Sequence, residues 1–481
     1  MKKNIFCLAA LCVAAAAFAQ DSFFDESGPA DNLEFSGSVS SVTDVTLDRD
    51  NMDDATANYY DAANIGMKYL SDKVDIILSL DIEDSGLTEN SWSANVAFDE
   101  AYGRYYFGLG DFELGLMKPV WGAGDGVHVI DILTPMNYSR FIEPDYADRK
   151  EPMPMAKLNL DFQAKGRLEL VYIPYYEPDV YPLSGPWAQG RALALAASAR
   201  SALEAWSNLL YGAYFTAASM NPSTAAVAQG LAAMQTMQTV SDAQDSLMRE
   251  DNTYSPEYSQ GAVRYRMSLT SVDFSVLAGT VFMSEPVVKA VDIAEIATAL
   301  NPTVLDPHYE LSYERAYVGG FDFSGEVFGS GYRGEFAARI TKDLEGDDPS
   351  VPNPRIGWVF GIDRNINFKD LYVNLQTQGE VILLDGEIAS PLDTDYRTDY
   401  TRNVIAAQVE AKPINEYFTC AVSGAYVVED SSYRVQPSLT YVLGDVFELK
   451  AAYSLYEGDS DSMFGQFDAN DYLSFTGTLS F

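Results

Sequence analysis

Residues 118–125 contain the groups most able to do chemistry in this sequence. They read Lys-Pro-Val-Trp-Gly-Ala-Gly-Asp, and further acidic residues and Arg149 follow them. The glycines allow tight backbone turns at positive φ, and the tryptophan offers a large packing surface. Asp125 or Asp131 could pair with Arg149 across the segment and fix its shape. Such a segment can present charge to a polar solute, but it contains no evident nucleophile and base.

Recognisable catalytic and metal-binding patterns are missing elsewhere as well. The two histidines, His128 and His308, each lie in or beside a predicted loop. We find no Cys/His metal spacing, no glycine-rich phosphate loop and no Gly-x-Ser-x-Gly elbow. The acidic run at residues 344–348 lacks the spacing of a calcium loop. We therefore expect no enzyme activity, no catalytic residues, no bound metal and no cofactor.

The balance of charged residues restricts the partners. The chain has 70 acidic and 31 basic residues, which gives a formal net charge of −39 at pH 7. Nucleic-acid binding requires a basic surface, so we expect no nucleic-acid partner. We interpret this charge as that of a solvated acidic surface.

The elements that must position these residues are strands, and the last one is the clearest. Apolar residues occupy every second position from Leu473 to Phe481, with polar residues between them. A period of two indicates a strand with one apolar and one polar face. A terminal strand of this length with an aromatic carboxy-terminus resembles the last strand of bacterial outer-membrane β-barrels. That resemblance implies apolar residues toward lipid, polar residues toward the lumen, and recognition of the strand ending at Phe481 by the barrel-assembly machinery.

Short turns and longer polar loops alternate along the rest of the chain. The expected turns lie near residues 71–73, 108–111, 164–167, 270–271, 329–331, 365–369, 415–416 and 444–445. In outer-membrane barrels, short turns face the periplasm and long loops face outward. Beyond the amino-terminus there is no apolar run long enough for a spanning helix. We predict an all-β, transmembrane antiparallel barrel over residues 33–481, with about 18 strands and about 16 as the fallback.

The amino-terminus predicts export. Lys2 and Lys3 precede an apolar run, and Ala17-Phe18-Ala19 has the small-x-small pattern of a cleavage site. We predict a signal peptide at residues 1–19 and a short periplasmic segment at residues 20–32. Cys420 would then be the remaining cysteine, without an internal disulfide, as a small apolar residue in a strand.

Residues 187–240 break the strand pattern. They are rich in alanine, leucine and methionine, and Asn221-Pro222 separates two helical stretches, the second of which Ser223 can cap. We predict a helical insertion in an outward loop. It could stabilise the loops as a cap, or it could fold toward the lumen as a gate or plug.

Residues 118–149 also carry a family resemblance. Trp121-Gly122, Asp125, Asp131, Pro135 and Arg149 match a pattern found in a poorly characterised group of porin-like outer-membrane barrels. In that group a strand ends in Trp-Gly-x-x-Asp, and Asp-x-x-x-Pro and then an arginine follow before the next strand. The resemblance implies the barrel fold and does not identify a solute.

The resemblance also implies a role for the third outward loop, residues 119–152, because in general porins the third loop folds inward and its acids face basic wall residues. We expect this loop to narrow the lumen through Trp121, Gly122, Asp125, Asp131, Glu143 and Arg149. Strand arginines should face the lumen, since a charge on the lipid face costs roughly 2–4 kcal/mol at the midplane. These arginines are Arg104, Arg264, Arg266, Arg333, Arg339, Arg402 and Arg434. A field between acidic loop and basic wall would orient polar solutes.

The favoured function is a channel in the bacterial outer membrane for passive diffusion of small hydrophilic solutes, because barrels of about 16–18 strands leave an aqueous pore. One alternative is a surface adhesin or interaction protein anchored by the barrel. Another is a transporter of hydrophobic substrates along residues 187–240. The expected partners are outer-membrane lipid and small polar solutes, and a homo-oligomer is possible because general porins are often trimers.

Overall fold

The structure is a computed structural model, and it describes most of the strand-forming residues. The described ranges are residues 32–47, 56–84, 94–138, 146–162, 166–182, 187–188, 248–250, 252–284, 286–289, 309–388, 394–397, 399–444 and 446–481. The predicted signal peptide, nearly all of the segment at residues 20–32, and all but two residues of the predicted helical insertion lie outside them. Glu143 lies outside them as well.

The described chain is built from strands numbered β1 to β21. The first seven are β1 (Leu33–Leu47), β2 (Thr56–Tyr69), β3 (Val74–Asp84), β4 (Ala94–Phe107), β5 (Gly110–Met117), β6 (Met153–Asp161) and β7 (Arg167–Ile173). The next seven are β8 (Met248–Glu250), β9 (Gln260–Ser268), β10 (Val272–Phe282), β11 (Val287–Lys289), β12 (Tyr309–Ser312), β13 (Arg315–Val327) and β14 (Ser330–Ile340). The last seven are β15 (Arg355–Ile366), β16 (Leu371–Ile382), β17 (Thr401–Ala411), β18 (Phe418–Val427), β19 (Tyr433–Leu443), β20 (Phe447–Glu457) and β21 (Asp471–Ser480).

Eighteen of these strands form a single antiparallel sheet that closes on itself. Each barrel strand pairs with the next barrel strand along the chain, and β1 pairs with β21, with Val42 opposite Thr476. The three short strands β8, β11 and β12 form a separate small sheet within the connections from β7 to β9 and from β10 to β13. The structure confirms the prediction of an all-β barrel with 18 strands.

Short and long connections alternate around the barrel as predicted. At the end that holds both described chain ends, the connections are residues 70–73, 108–109, 162–166, 269–271, 328–329, 367–370, 412–417 and 444–446. The connections at the opposite end are longer, apart from residues 428–432. The two longest connections join β5 to β6 and β7 to β9. Both begin on the same part of the wall.

The two faces of the wall differ in chemistry because side chains alternate along each strand. Large apolar residues such as Leu439 and Phe475, each 49% exposed, point away from the barrel interior. On the inner face of β6, β10 and β14, Asn159, Ser275 and Glu335 are buried among other polar groups. The outer face therefore suits lipid, and the inner face suits water and polar solutes.

Pro437 lies inside β19. It stands opposite Val422 of β18, while the pairing of β19 with β20 is interrupted between Val435 and Ser438. Proline has no N–H to donate to a ladder, so a gap on one side is the expected consequence. Cys420 is a free, half-buried residue of β18.

Two apolar clusters occupy the barrel interior. The first lies between the connection from β5 to β6 and the wall, and it includes Trp121, Ile130, Leu133, Met153 and Val318. The second joins the wall of β17, β18, β20 and β21 to the connection from β20 to β21, and it includes Val404, Val427, Tyr456, Phe467 and Tyr472. Trp187 packs on this second cluster, with its ring centroid 5.6 Å from that of Phe467. Within the described residues, no helix is long and apolar enough to cross a membrane.

The two faces of β19 give a direct test of the wall's orientation in lipid. Leu439→Arg should destabilise the protein by roughly 2–4 kcal/mol, because the charge would enter the hydrocarbon near the middle of the strand. Ser438→Arg, its neighbour on the inner face, should cost much less. Reversible denaturant unfolding in phospholipid vesicles, followed by tryptophan fluorescence, measures both. Equal losses for the two variants would contradict the assignment of the faces.

Candidate functional site

The connection at residues 118–152 lies against the inner wall of the barrel. Trp121 is 2% exposed, and Ile130 and Leu133 are also buried in the first apolar cluster. The guanidinium of Arg264 on β9 lies 5.6 Å from the centroid of the Trp121 ring. These contacts fix the inward course of the connection, because moving it outward would expose its largest apolar side chains to water.

A single buried carboxylate on β14 holds this connection. The Oε1 atom of Glu335 accepts the Gly124 N–H at 2.6 Å and lies 2.7 Å from His128 Nδ1. Its Oε2 atom accepts the N–H groups of Val129 at 2.8 Å and Ile130 at 3.4 Å. Glu335 is 0% exposed, so its charge depends on these donors for stabilisation.

The glycine of the Trp-Gly-x-x-Asp pattern has a specific role at this carboxylate. Gly122 has φ of 131°, a conformation that other residues rarely adopt. A Cβ atom at Gly122 would lie 2.3 Å from Glu335 Oε1 and 2.4 Å from His128 Nδ1. The absence of a side chain therefore lets the backbone approach the buried carboxylate.

Asp125, at the end of the pattern, contacts the wall across the interior. Its Oδ2 atom lies 3.2 Å from Nη1 of Arg333 on β14 and accepts a hydrogen bond from Nδ2 of Asn374 on β16. The Asp125 N–H donates to Oε1 of Gln376 at 2.9 Å, and Nε2 of Gln376 donates to the Asp125 carbonyl at 3.1 Å. An acid of the connection thus meets a basic residue of the wall, and two amides complete the attachment.

The predicted pairing of Arg149 is wrong. Asp131 forms its ion pair with Lys150, and the contacts of Asp125 and Asp131 in the structure do not include Arg149. Lys150 pairs with Met136 in an isolated bridge, and its buried Nζ also donates to the Pro119 carbonyl at 2.6 Å. Adjacent residues direct their side chains differently, so Arg149 cannot take the position that Lys150 occupies beside Asp131. The Arg149 guanidinium lies 5.8 Å from the Tyr146 ring centroid.

Burial changes the ionisation of this inner pair. Desolvation lowers the pKa of Lys150, although the nearby Asp131 carboxylate opposes that shift. Desolvation raises the pKa of Tyr146, and the Asp131 charge raises it further. The Tyr146 hydroxyl donates to Asp131 at 3.1 Å, so the phenol stays neutral and its ring is held in one position.

The seven predicted arginines all lie on the inner face of the wall. Three contact the inward connection: Arg264 at Trp121, Arg333 at Asp125, and Arg339, whose Nη2 donates to the Val129 carbonyl at 2.9 Å. Three of the others contact wall side chains: Arg104 pairs with Glu113 at 2.9 Å, Arg266 pairs with Glu169 at 2.7 Å, and Arg434 lies 5.9 Å from the Tyr456 ring centroid. Arg402 stands opposite Glu380 in the register of β16 and β17.

The pattern of the sequence did not identify Glu335, Lys150, Asn374 and Gln376 as contacts of the connection. Glu335 had a usable signal, because it shares the inward parity of Arg333 and Arg339 on one strand. The amides of Asn374 and Gln376 on β16 had no such signal in the sequence. Their roles depend on which part of the connection reaches them across the barrel.

The chain after β7 also attaches to this connection. The Tyr138 N–H donates to the Val180 carbonyl at 2.7 Å, and the Val180 N–H donates to the Met136 carbonyl at 2.9 Å. Oδ1 of the neighbouring Asp179 accepts the Met136 N–H at 2.8 Å. Burial raises the pKa of Asp179 to about 6, although several hydrogen bonds to its carboxylate oppose that shift.

A cavity of about 540 Å³ lies between the connection and the wall of β16, β17 and β18. The polar and aromatic side chains around it are Asp125, His128, Tyr146, Asn374, Gln376, Gln408 and Ser423. Across the described part of the chain, no group of three or more His, Cys, Asp or Glu side chains is arranged to hold a metal ion.

Comparisons with known proteins find similar shapes and no sequence relative. No model of a protein family matches the chain, and no curated protein matches it. Acinetobacter baumannii OccAB2 aligns over 95% of this chain and 99% of its own, with a TM-score of 0.48 and 6% identity. Pseudomonas aeruginosa OccK11 aligns over 94% and 96%, with a TM-score of 0.45 and 7% identity. Salmonella typhi OmpF, solved with daunomycin, aligns over 93% and 97%, with a TM-score of 0.40 and 8% identity. Likenesses at this level do not identify a substrate.

Glu335→Gln should loosen the inward connection while leaving the barrel folded. A glutamine presents one acceptor oxygen, and its NH₂ group would face backbone donors. Each lost hydrogen bond to the charged group costs about 1.5–3 kcal/mol, so protection of the Gly124 and Val129 amides should fall at least about tenfold. Hydrogen exchange measures this loss.

The control is Glu169→Gln, which removes a buried carboxylate on β7 that pairs with Arg266 instead of with the connection. In this control variant, the hydrogen-exchange protection of the Gly124 and Val129 amides should match that of the unsubstituted protein. Unchanged protection in the Glu335 variant would contradict the role assigned to this carboxylate.

Acidification should strengthen the attachment of residues 178–182 to the connection. The raised pKa of Asp179 means that the folded state binds its proton more tightly than the unfolded state. The stabilisation is therefore greatest at low pH and is lost as the pH rises through about 6. Between pH 7 and 5 we expect a gain of about 1 kcal/mol in the free energy of local opening.

Hydrogen exchange at Met136 and Val180, corrected for the intrinsic pH dependence of exchange, measures this gain. Asp179→Asn should abolish it, whereas Asp161→Asn, at the opposite end of the barrel, should retain it. A gain that persists in the Asp179 variant would assign the pH dependence to another group.

Proposed function

We propose that this chain is a porin-like channel of the bacterial outer membrane, through which small hydrophilic solutes diffuse passively. The observation that carries the proposal is a closed barrel of 18 strands with an apolar outer face, a polar inner face and a connection attached inside it. In a lipid bilayer every backbone group must be satisfied internally, and a closed barrel meets that requirement.

The size of the barrel favours a channel over an anchor. A barrel of about eight strands is filled by its own side chains, whereas barrels of about 16–18 strands enclose an aqueous channel. An anchor for a surface-binding protein would need fewer strands and would have no need for a polar lumen. A transporter of hydrophobic substrates would need an apolar path, and the polar inner wall argues against one.

The inward connection is the proposed constriction. Residues 119–152 carry Trp121, Gly122, Asp125 and Asp131 into the interior. Trp121, Asp125 and the Gly124 backbone contact wall residues on β9, β14 and β16. Asp131 pairs with Lys150 of the connection itself. Asp125 pairs with Arg333 and the Val129 carbonyl accepts a hydrogen bond from Arg339, so these groups attach the connection to the wall. The polar groups that remain along the path would orient polar solutes as they pass.

The remaining partners are part of the same proposal. Lipid would cover the exposed apolar face, and export would depend on residues 1–19. The carbonyl and N–H groups of Phe481 bond to Gly37 at 2.9 Å, which seats the last strand against the first. Recognition of that strand by the barrel-assembly machinery and assembly into a homo-oligomer are further expectations of the proposal.

Single-channel recording in planar bilayers tests the function. The refolded protein should give stable steps of ionic current. Glu335→Gln should give larger or noisier steps, because the loosened connection would widen the path, and Glu169→Gln should keep the original conductance. Silence from protein shown to be folded would contradict the channel and would favour the surface-binding alternative.

A further inference from the structure

The cavity between the inward connection and the wall of β16–β18 has the properties of a binding site. Its volume of about 540 Å³ falls within the range of about 300–1,000 Å³ that is typical of small-molecule sites. Connection residues Asp125, His128 and Tyr146 face wall residues Asn374, Gln408 and Ser423 across it. A solute that passed through the lumen beside the connection would meet these side chains.

The charged groups around the cavity already have partners. The Asp125 carboxylate lies 3.2 Å from the Arg333 guanidinium. The Glu335 carboxylate accepts the Gly124 and Val129 N–H groups and lies 2.7 Å from the His128 ring. A charged ligand would therefore find no unmatched opposite charge among these groups, and it would lose hydration on entering.

Hydrogen-bonding capacity, in contrast, is left unused. Asn374 is only 7% exposed; its Nδ2 donates to Asp125, and its Oδ1 is enclosed by the protein, so this amide positions the acid. The Asp125 side chain is 46% exposed, and the hydrogen bonds of its carboxylate use Oδ2, which leaves Oδ1 free to accept another.

The other wall groups can both donate and accept. The side chains of Gln408 and Ser423 line the cavity, and neither forms a hydrogen bond within the described part of the chain. An amide and a hydroxyl together offer donors as well as acceptors. The cavity therefore suits a ligand that carries several hydroxyl groups.

The connection side adds an aromatic surface. The Tyr146 hydroxyl is held by Asp131, and its ring lies 4.7 Å from the His128 ring in an edge-to-face arrangement. The ring therefore lies at the cavity in a fixed orientation. The apolar C–H face of a cyclic polyol can pack on such a ring while its hydroxyls reach the opposite wall.

We propose that this cavity is a binding site for an uncharged polyhydroxylated solute of the size of a monosaccharide. Solute hydroxyls donate to Asp125 Oδ1, and they exchange hydrogen bonds with Gln408 and Ser423. An anion is disfavoured because this carboxylate oxygen faces it, and a cation is disfavoured because Arg333 already neutralises Asp125. The proposal rests on the proposed channel, since the lumen is the route by which a solute enters.

The test compares three probes of one shape in planar bilayers: glucose, its anionic analogue glucuronate and its cationic analogue glucosamine. Glucose should reduce the ionic current in a saturable manner, and neither charged analogue should do so at the same concentration. In the variant carrying Gln408→Ala and Ser423→Ala, the half-saturating glucose concentration should rise about tenfold, as expected for the loss of two neutral hydrogen bonds.

Gln436→Ala is the matched control. Gln436 is an inward-facing amide on β19 that donates to Ser454 at 2.7 Å and does not line the cavity. Its removal should leave the glucose response unchanged. Asn374 is not used as the test because it also holds Asp125, and its replacement would disturb the connection.

The outcomes separate the two proposals. Current without a saturable glucose response, an equal response to a charged analogue, or a response unchanged in the Gln408/Ser423 variant would each overturn the binding site and leave the channel standing. Absence of current would overturn the channel, and titration calorimetry of glucose against the folded protein in detergent would then decide the site. Binding that is weakened in the double variant would support the site, and no binding would overturn it.

Discussion

The hydrogen bonds between β1 and β21 are the constraint on which the rest of the molecule depends. They join the two ends of an 18-strand sheet, so that no barrel strand keeps an unpaired edge. An open edge would leave a row of N–H and C=O groups without partners, which lipid cannot supply. Closure therefore requires a defined register at this seam, and Phe481 contributes by bonding to Gly37 in both directions.

Closure gives every residue of the wall one of two environments. Successive side chains of each strand point to opposite faces, so the outside is apolar, and the inside carries the polar residues together with apolar residues that pack against the long connections. The interior of a barrel this wide cannot be filled by wall side chains alone. Part of the space is taken by the two apolar clusters, each of which joins a long connection to the wall. The remaining space is polar.

The inward connection depends on a balance between burial and charge. Trp121, Ile130 and Leu133 bring apolar area into contact with the wall, and Glu335 accepts backbone donors that would otherwise be buried without partners. The carboxylate and the donors are costly to bury separately and compatible when they are buried together. Gly122 makes the arrangement possible because any side chain at that position would collide with the carboxylate. The proposed constriction and the proposed solute site both rely on this attachment.

The sequence by itself determined the barrel, the faces of its strands and the alternation of short and long connections, and it indicated about 18 strands. These follow from local rules, since a period of two and the position of turns are visible without knowledge of distant residues. It also predicted the inward side of arginines such as Arg333 and Arg339, because charge is costly on the lipid face. Only the tertiary structure decided the partners of the connection. Glu335 lies more than 200 positions from the backbone groups it accepts, and Asn374 and Gln376 are as distant from Asp125. The preference of Asp131 for Lys150 over Arg149 was likewise decided by the folded path of the chain, because two adjacent cations look alike in a sequence and only one can occupy the buried position.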